Sequence, residues 1–305
     1  MKLAIVGLGR VGSWSANELS TMLGQQDELS LVDRDIIEES NLKGCAFYTK
    51  SYVGEFKVEV IKRKLAPQTS VVIRTFGEHL SKQNISEMLA GCKLVLDCTD
   101  NWQTRMLLNE YCWENNILWV YAGALGPHAM VSTIIPGETP CFACWANKPT
   151  VTLSCSEVGV ELGAIRIAAE KQVKEAISIR TGATPALRGK IFYYNSLGGA
   201  KTIVEMIKNP ECPFCVGEER MIEQELVIQV CGSGEWQFLN TVEQKNIEEI
   251  FSKLEGVKRK KMGGVVKAYL GEVRALVFAS GRVVVKAKQK KDAIAANELI
   301  LQKLG

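Results

Sequence analysis

Gly7-Leu8-Gly9-Arg10-Val11-Gly12 is the part of this sequence that indicates its fold most clearly. It follows the apolar run 3–6 and leads into a segment of helical character from Ser13 to about Leu23. A second apolar run, 29–32, then ends at Asp33. Strand, glycine turn, helix, strand and acid is the order of a Rossmann-like nucleotide-binding unit. The stretch therefore predicts an α/β fold with a doubly wound sheet.

The three glycines of this turn predict a phosphate site. Gly7, Gly9 and Gly12 carry no side chain, so backbone N–H groups and the start of the following helix can approach a phosphate closely. Asp33 can accept hydrogen bonds from a ribose. The turn by itself does not distinguish NAD, FAD and ATP.

Four further motifs follow in a fixed order. They are Asp33-Arg34-Asp35, Ser40-Asn41-Leu42, Gly54-Glu55-Phe56-Lys57 and Asp97-Cys98-Thr99-Asp100-Asn101, with Thr104, Arg105 and Asn109 in the helix that comes next. This order resembles the family of ubiquitin-activating enzymes and their bacterial relatives ThiF, MoeB and HesA. The resemblance covers residues 3–217. It implies ATP-dependent adenylation of the C-terminal glycine of a ubiquitin-like or sulfur-carrier protein ending in Gly-Gly, and a homodimer.

The resemblance places ATP and Mg²⁺ on particular residues. Lys57 meets the phosphates as a point charge, and Asp100, just beyond an apolar strand, holds Mg²⁺. Asp35 and Asn41 complete the ATP site in the same way. Because the attacking carboxylate and ATP are both anionic, neutralising charge and aligning the groups are what such residues contribute.

One segment departs from the family pattern. The family has S-N-L-N-R, whose arginine contacts the phosphates, whereas this chain has Ser40-Asn41-Leu42-Lys43-Gly44-Cys45. Lys43 supplies a charge there without the two-pronged hydrogen bonding of a guanidinium. A helix that precedes the first strand in many relatives is also absent from this sequence. A non-catalytic partner subunit is therefore an alternative to an active enzyme.

Two Cys-x-x-Cys pairs predict a structural zinc site. The ligands are Cys141 and Cys144 in one pair and Cys212 and Cys215 in the other. Four thiolates suit tetrahedral Zn²⁺, whereas a redox-active Cys-x-x-Cys normally occurs once. The metal would join two segments that are distant in sequence.

Cys155 is the predicted nucleophile for a thioester step. It precedes a long helical segment expected from about residue 157 to Arg180, and a thiol at a helix N-terminus gains thiolate character. The resemblance also places a carrier-accepting cysteine here, before transfer to a conjugating enzyme. The alternative is a MoeB- or ThiF-type reaction that needs no thioester. Cys45 is a weaker candidate, and Cys92, Cys98 and Cys112 are predicted as core residues.

Composition narrows the classes of function. A net charge of +3 over 305 residues argues against nucleic acid and acidic membranes as partners. No run approaches the ~20 apolar residues of a membrane span, and no signal-peptide pattern opens the sequence. We therefore expect a cytoplasmic protein. With two histidines, Ser-His or Cys-His hydrolysis is disfavoured. An NAD-dependent oxidoreductase would leave Lys57, Asp100 and the cysteine pairs without a role.

The sequence pattern changes after residue 217. We predict an adenylation domain over 1–217 and a small α+β domain over 218–305 that docks a carrier or a conjugating enzyme. The predicted order is β-α-β-β-β-α, with strands at 225–230, 265–270, 273–278 and 282–285 and helices at 242–254 and 292–304. The basic run 258–261 is interpreted as a solvated turn, with a docking patch as the less favoured alternative.

Overall fold

The computed structural model describes residues 1–146, 160–215, 227–230, 235–238, 245–279 and 281–305. The described residues form two compact units, one before residue 216 and one after residue 226. The predicted domain boundary, between Gly217 and Glu218, falls in the undescribed interval 216–226 and stays a prediction.

The first unit is built on one eight-stranded sheet. Its strands are β1 (Lys2–Val6), β2 (Glu28–Val32), β3 (Val72–Phe76), β4 (Leu94–Asp97), β5 (Leu118–Leu125), β6 (His128–Ile134), β7 (Lys190–Asn195) and β8 (Ala200–Glu205). The spatial order is β3-β2-β1-β4-β5-β6-β7-β8, parallel from β3 to β5 and antiparallel beyond. The α/β class is confirmed, and the antiparallel extension is an addition to it.

Helices cover both faces of the parallel strands. They are α1 (Arg10–Ser20), α2 (Lys57–Leu65), α3 (Ile85–Met88), α4 (Trp102–Glu114), α5 (Phe142–Trp145) and α6 (Leu162–Arg180). Alternation along β1 explains the two layers. Leu3 and Ile5 pack with α1, α2 and α6, whereas Ala4 and Val6 pack with α3 and α4. A strand buried on both faces is uninterrupted in its apolar sequence, as residues 3–6 are.

The strand order places ligand-binding loops at one edge of the sheet. From β1 the chain adds β2 and β3 on one side of the sheet. It then crosses to the other side of β1, where β4 pairs with β1 in parallel. In open α/β sheets the crevice at the carboxyl ends of strands opens at such a switch point. The glycine turn after β1, Asp33 after β2 and Asp97 at the end of β4 all belong to this edge.

The second unit has a separate six-stranded antiparallel sheet. Its strands are β9 (Val227–Val230), β10 (Glu235–Phe238), β11 (Lys258–Met262), β12 (Val265–Leu270), β13 (Val273–Phe278) and β14 (Val283–Lys286), and its helices are α7 (Ile247–Lys253) and α8 (Lys290–Leu304). The spatial order is β11-β12-β13-β14-β10-β9. Apolar residues of one sheet face, among them Val266 and Val277, pack with Ile250 of α7 and Ile300 of α8.

Two details of the predicted second unit are wrong. Strands β10 and β11 were not expected, and the basic run 258–261 forms β11 rather than a turn. Strand β11 lies at an edge of the sheet, where lysines discourage pairing with another chain. The sequence did not predict this strand because its own residues are cationic, and the apolar contacts come from its partner, β12.

One helix start also differs. Helix α6 begins at Leu162, with Glu161 before it in an extended conformation, rather than at about residue 157. Among the helices of the described ranges, none combines the length and apolar composition that crossing a bilayer requires.

Candidate functional site

The glycine turn is packed tightly against the end of β4. Gly7 has a φ of +87°, and a Cβ there would lie 2.8 Å from the carbonyl carbon of Cys98. A Cβ on Gly12 would lie 1.9 Å from the Gly7 carbonyl oxygen. Apart from its two chain neighbours, no heavy atom of the described residues lies within 4 Å of a Cβ placed on Gly9, so the turn opens there. Two glycines thus close the turn, and the third leaves space beside the first turn of α1.

Asp33 fastens the glycine turn from the side. Its carboxylate accepts hydrogen bonds from the backbone N–H of Leu8 at 2.6 Å and of Asp35 at 2.8 Å. The hydroxyl of Tyr48 donates to the Leu8 carbonyl at 2.6 Å. Asp33 is buried, so this carboxylate shapes the turn in addition to any contact with a ribose.

Lys57 is a buried cation beside this turn. Its Nζ lies 3.1 Å from a carboxylate oxygen of Asp35 and 3.9 Å from one of Asp33. Burial by itself would lower the pKa of Lys57, but the two carboxylates raise it above its usual value. The ammonium is therefore protonated at neutral pH, and Asp33, which it approaches, is bonded to the Leu8 N–H of the glycine turn.

Asn41 and Lys43 occupy a short 3₁₀ helix, Glu39–Leu42, and the residue after it. The Asn41 side chain accepts a hydrogen bond from the Glu38 backbone N–H at 2.9 Å, which closes this turn. Lys43 is exposed.

Arg10 is a residue that sequence reasoning missed. It is the first residue of α1, and its Nε lies 3.5 Å from the Lys43 carbonyl oxygen. A Cβ on Gly44 would lie 3.4 Å from its Cδ. A guanidinium is thus present next to the segment that lacks the expected arginine. Its position within the glycine motif was the available signal.

The segment after β4 places two acids differently. Asp97 is fully buried, accepts hydrogen bonds from the Thr99 backbone and hydroxyl, and lies 3.7 Å from Nε of Arg105. Burial raises the pKa of Asp97, although Arg105 opposes this. Asp100 is exposed. The side chain of Asn101 caps α4 by accepting from Thr104 N–H at 2.8 Å. The first acid anchors the loop and the second presents a carboxylate at the sheet edge.

A buried amide, Gln172 of α6, lies behind the glycine turn. Its Nε2 donates to the carbonyls of Asp97 and Val120, each at 2.9 Å. Its Oε1 accepts from the Ser15 hydroxyl at 2.7 Å and from the Cys98 thiol at 3.1 Å. All polar positions of the amide are satisfied, and they join α1, β4 and β5. No sequence motif marks this residue, because its partners come from three separate segments.

The four predicted metal ligands converge. Their sulfur atoms all lie within 4.8 Å of one another. The pairs Cys141–Cys144, Cys141–Cys212 and Cys144–Cys215 are separated by 3.9, 3.5 and 3.4 Å. A disulfide needs ~2.05 Å, whereas sulfurs of a tetrahedron with Zn–S of ~2.3 Å lie about 3.8 Å apart. The geometry fits a four-thiolate metal site.

The charges of this cluster also favour a cation. Burial and the neighbouring thiolates raise the pKa of Cys141, and the pKa of Cys215 is raised to about 11, mainly by burial. Burial also acts on Cys212, but hydrogen bonds, first that from the Cys215 N–H, lower its pKa overall. Four thiolates cannot ionise together in a buried site unless a metal offsets their repulsion.

Asn109 connects the cysteine cluster to α4. Its side-chain oxygen accepts from the Phe142 backbone N–H at 2.8 Å, and its amide nitrogen lies 3.7 Å from the Cys141 sulfur. Such outer contacts orient metal ligands. The last residue of the motif that begins at Asp97 therefore supports the metal site.

The predicted nucleophile, Cys155, lies outside the described residues. Its role therefore stays a prediction, and the described helix that follows, α6, begins at Leu162. Among the other cysteines, Cys92 and Cys112 are buried in the core, as predicted. Burial raises the pKa of Cys45, and its neighbours Lys57 and Arg10 lower it by less. Cys45 is thus held as a thiol.

Comparison with known proteins locates the similarity in the first unit. Residues 1–214 match the model of the ThiF family. The chain is 27% identical over 220 residues to "Sulfur carrier protein ThiS adenylyltransferase" of Bacillus subtilis, covering 70% of this chain and 64% of that protein. It is 29% identical to "SAMP-activating enzyme E1" of Haloferax volcanii, covering 70% and 80% of the two chains.

Solved structures support the same fold. The crystal structure of Escherichia coli MccB with succinimide has a TM-score of 0.60 at 22% identity, covering 70% of this chain and 66% of that one. At this level of identity the likeness concerns the fold alone. The match spans less than two thirds of the length of the Bacillus subtilis relative.

Proposed function

The chain belongs to the ThiF family, and on this basis we propose that it uses ATP to adenylate the C-terminal carboxylate of a ubiquitin-like or sulfur-carrier protein. The names of its relatives support this class of substrate: one is an adenylyltransferase of the carrier ThiS, and another is a SAMP-activating enzyme.

The observation that carries the proposal is the buried Lys57 beside the opened glycine turn. Its ammonium is 3.1 Å from Asp35, and Asp33 connects it to the Leu8 N–H of the turn. Two carboxylates keep this buried cation protonated, and because burying charges costs desolvation free energy, the arrangement is weak evidence for a purely stabilising role. A triphosphate has enough negative charge to use this cation, whereas the hydride chemistry of NAD does not require one.

The reaction is an in-line displacement. The carrier carboxylate attacks the α-phosphorus of ATP, a P–O bond forms, the bond to the bridging oxygen breaks, and pyrophosphate leaves. Lys57 neutralises phosphate charge, and the first turn of α1 offers N–H groups at Gly9. Asp100 would hold Mg²⁺, which supplies charge neutralisation at the phosphates. Asp33 and Asn41 keep the surrounding turns in place.

The four cysteines form the structural part of the proposal. Zn²⁺ would be held by Cys141, Cys144, Cys212 and Cys215 without an open position for chemistry. Its contribution is to fasten the segment after β8 to the segment after β6. Assembly into a homodimer is a further part of the proposal, and sedimentation of the purified protein tests it.

Carrier-dependent exchange of ³²P-pyrophosphate into ATP tests the central reaction. Wild-type protein should exchange with at least one member of a panel of ubiquitin-like carriers that includes ThiS and SAMP. Asp100→Ala should lose most of this activity, whereas Glu272→Ala, an exposed acid of the second unit, should not. Absence of exchange with every carrier would favour a non-catalytic partner subunit.

Two variants test the source of the phosphate-binding charge. Arg10→Gln should raise the KM for ATP by roughly tenfold, because a guanidinium lost from a phosphate removes a charge-assisted hydrogen bond. Lys43→Gln, at the position of the expected arginine, should change KM by less than twofold. The reverse order would assign the charge to Lys43.

A second step, transfer of the adenylated carrier to a cysteine as a thioester, is also proposed. A carrier attached to Cys155 would give an adduct that is visible by mass and sensitive to thiols, with a conjugating enzyme as the next acceptor. The adduct should disappear in Cys155→Ala and persist in Cys45→Ala. If Cys155→Ala supports exchange and no adduct forms in the wild type, the adenylate passes directly to a sulfur donor.

A further inference from the structure

Residues 258–305, which form the larger part of the second unit, have a charge unlike that of the rest of the chain. Residues 258–305 contain twelve Lys and Arg but three Asp and Glu, a net charge of +9. Since the whole chain carries +3, residues 1–257 carry −6. Soluble domains usually intersperse the two signs on their surface. Such a concentration of one sign is a feature that the adenylation site does not explain.

The register of the sheet divides these cations between its two faces. In β11, Arg259 and Lys261 stand opposite Ala268 and Val266, on the face covered by helices. Both have partners there: Arg259 donates to the Leu254 carbonyl at 2.8 Å, and Lys261 pairs with a carboxylate of α7. These two cations are part of the packing of the unit.

The alternate residues of β11 lie on the opposite face and extend across the sheet. Lys258 stands opposite Tyr269, which stands opposite Arg274, and Lys260 stands opposite Lys267. We call Lys258, Lys260, Lys267 and Arg274, together with Tyr269 between them, the basic face. Lys258, Lys260 and Arg274 are exposed, and Lys267 is half-buried.

The cations of the basic face have no acidic partner among the described residues. No ion pair joins any of the four to a carboxylate in that part of the chain. Lys260 and Lys267 even stand directly opposite each other, an arrangement of like charges that destabilises a sheet. Lys258 and Lys267 lie 5.7 and 5.8 Å from the centre of the Tyr269 ring. The arrangement weakens the isolated unit, so an anionic partner would relieve it.

The shape of the basic face favours a protein as that partner. With ~4.8 Å between strands, its extent from β11 to β13 is about 10 Å, too short for the track of phosphate contacts that nucleic acids make. Tyr269 and, next to Lys267, Leu276 place half-buried apolar surface among the charges. The same face becomes buried farther along the strands, at Val265 and Phe278. A compact patch of mixed apolar and cationic surface is typical of protein interfaces.

We propose that the basic face docks an acidic surface of the carrier protein that the first unit adenylates. This rests on the proposed function. Binding there would raise the rate of encounter and fix the carrier by its folded body, because complementary charges steer association. Specificity for one carrier over another would then reside in the second unit, outside the part of the chain that matches the family.

Two matched triple variants of the full-length protein test the proposal. Lys258→Glu/Lys260→Glu/Arg274→Glu reverses the basic face. Lys288→Glu/Lys290→Glu/Lys291→Glu makes the same change of charge at the start of α8, where acids suit the helix N-terminus. With the carrier that supports exchange, we expect the first variant to raise the carrier KM about tenfold and leave the KM for ATP unchanged. The second should change neither.

Other results would contradict docking on the basic face, and a binding assay tests docking separately from adenylation. An equal carrier KM in both variants overturns it. If no carrier supports exchange, direct binding of ThiS and SAMP at 50 and 300 mM salt tests docking by itself. Binding to the wild type that is lost in the first variant alone supports docking. Any other pattern of binding refutes it. Tighter binding of a 20-base-pair DNA duplex, lost in the first variant, would assign the face to nucleic acid and overturn the proposal.

Discussion

The nucleotide crevice and the basic face are both rich in charge, but they hold it differently. In the crevice, Lys57 is buried between two carboxylates and Asp97 beside Arg105. On the basic face, Lys258, Lys260 and Arg274 are exposed and have no acidic partner within the described residues. Charges of the first kind are held in fixed positions for one ligand. Charges of the second kind remain free to adapt to another molecule's surface.

Buried and exposed charges differ in how much a substitution changes the stability of the fold. Removing a partner from a buried polar network leaves a group unsatisfied, which is costly. Altering an exposed cation changes only a solvated interaction. Substitutions in the buried network of the crevice should therefore affect folding and activity together, whereas those on the basic face should affect binding with little change in stability.

Loss of the metal should have the largest effect. Cys212→Ser removes one of four ligands, and we expect the first unit to lose several kcal/mol of stability, because binding of the metal is coupled to folding. Metal content by mass spectrometry should fall from one zinc per chain to nearly none. Cys45→Ser, which alters a cysteine outside the cluster, should retain the metal. A Cys212→Ser protein with full stability would show that the cluster is not structural.

Gln172→Leu should have the next largest effect. The substitution leaves the carbonyls of Asp97 and Val120 without their side-chain donor, and we expect a loss of roughly 3 kcal/mol in the free energy of unfolding by urea. Since the same amide supports Cys98 beneath the glycine turn, the KM for ATP should rise as well. Gln68→Leu, the same change on an exposed side chain, is the control. A stable variant with an unaltered KM would remove Gln172 from the site.

Asp27→Asn should show a smaller, pH-dependent effect. Although burial raises the pKa of Asp27, hydrogen bonds from Arg180 and the N-terminal amine lower it from 3.8 to about 2. A lowered pKa stabilises the fold above the unfolded value and ceases to do so as pH falls through the folded value. The variant should lose about 2 kcal/mol at pH 7, and the difference from wild type should shrink between pH 4 and pH 2. A difference that is constant with pH would contradict this.

Reversal of one basic-face charge should have the smallest effect on stability. Lys260→Glu places a carboxylate opposite Lys267, so the free energy of unfolding should stay equal or rise by up to about 0.5 kcal/mol. Thermal unfolding measures this directly. A loss of more than about 2 kcal/mol would mean that Lys260 is part of the packing, and the contrast between the two regions would fail.

Local periodicity accounts for the elements that were predicted correctly. The run 3–6, the glycine turn and Asp33 lie within one βαβ unit, so sequence order is also spatial order there. Strands β12 and β13 and helix α8 were also predicted correctly, because apolar residues recur in each at the spacing typical of that element. Strand β11 was missed because its own residues are nearly all cationic, and its pairing with β12 is what makes it a strand.

Short motifs of the sequence predicted the Rossmann-like fold and the four cysteines of the candidate metal site, since glycines and cysteines at such positions have few physical alternatives. Other contacts are visible in the tertiary structure alone. Lys57 lies between Asp33 and Asp35, and Gln172 joins three elements. Arg10 reaches the segment that lacks an arginine. It also decided which cations share one face, because strand register sets side-chain direction. Contacts between distant segments arise from packing, and no local pattern of residues specifies them.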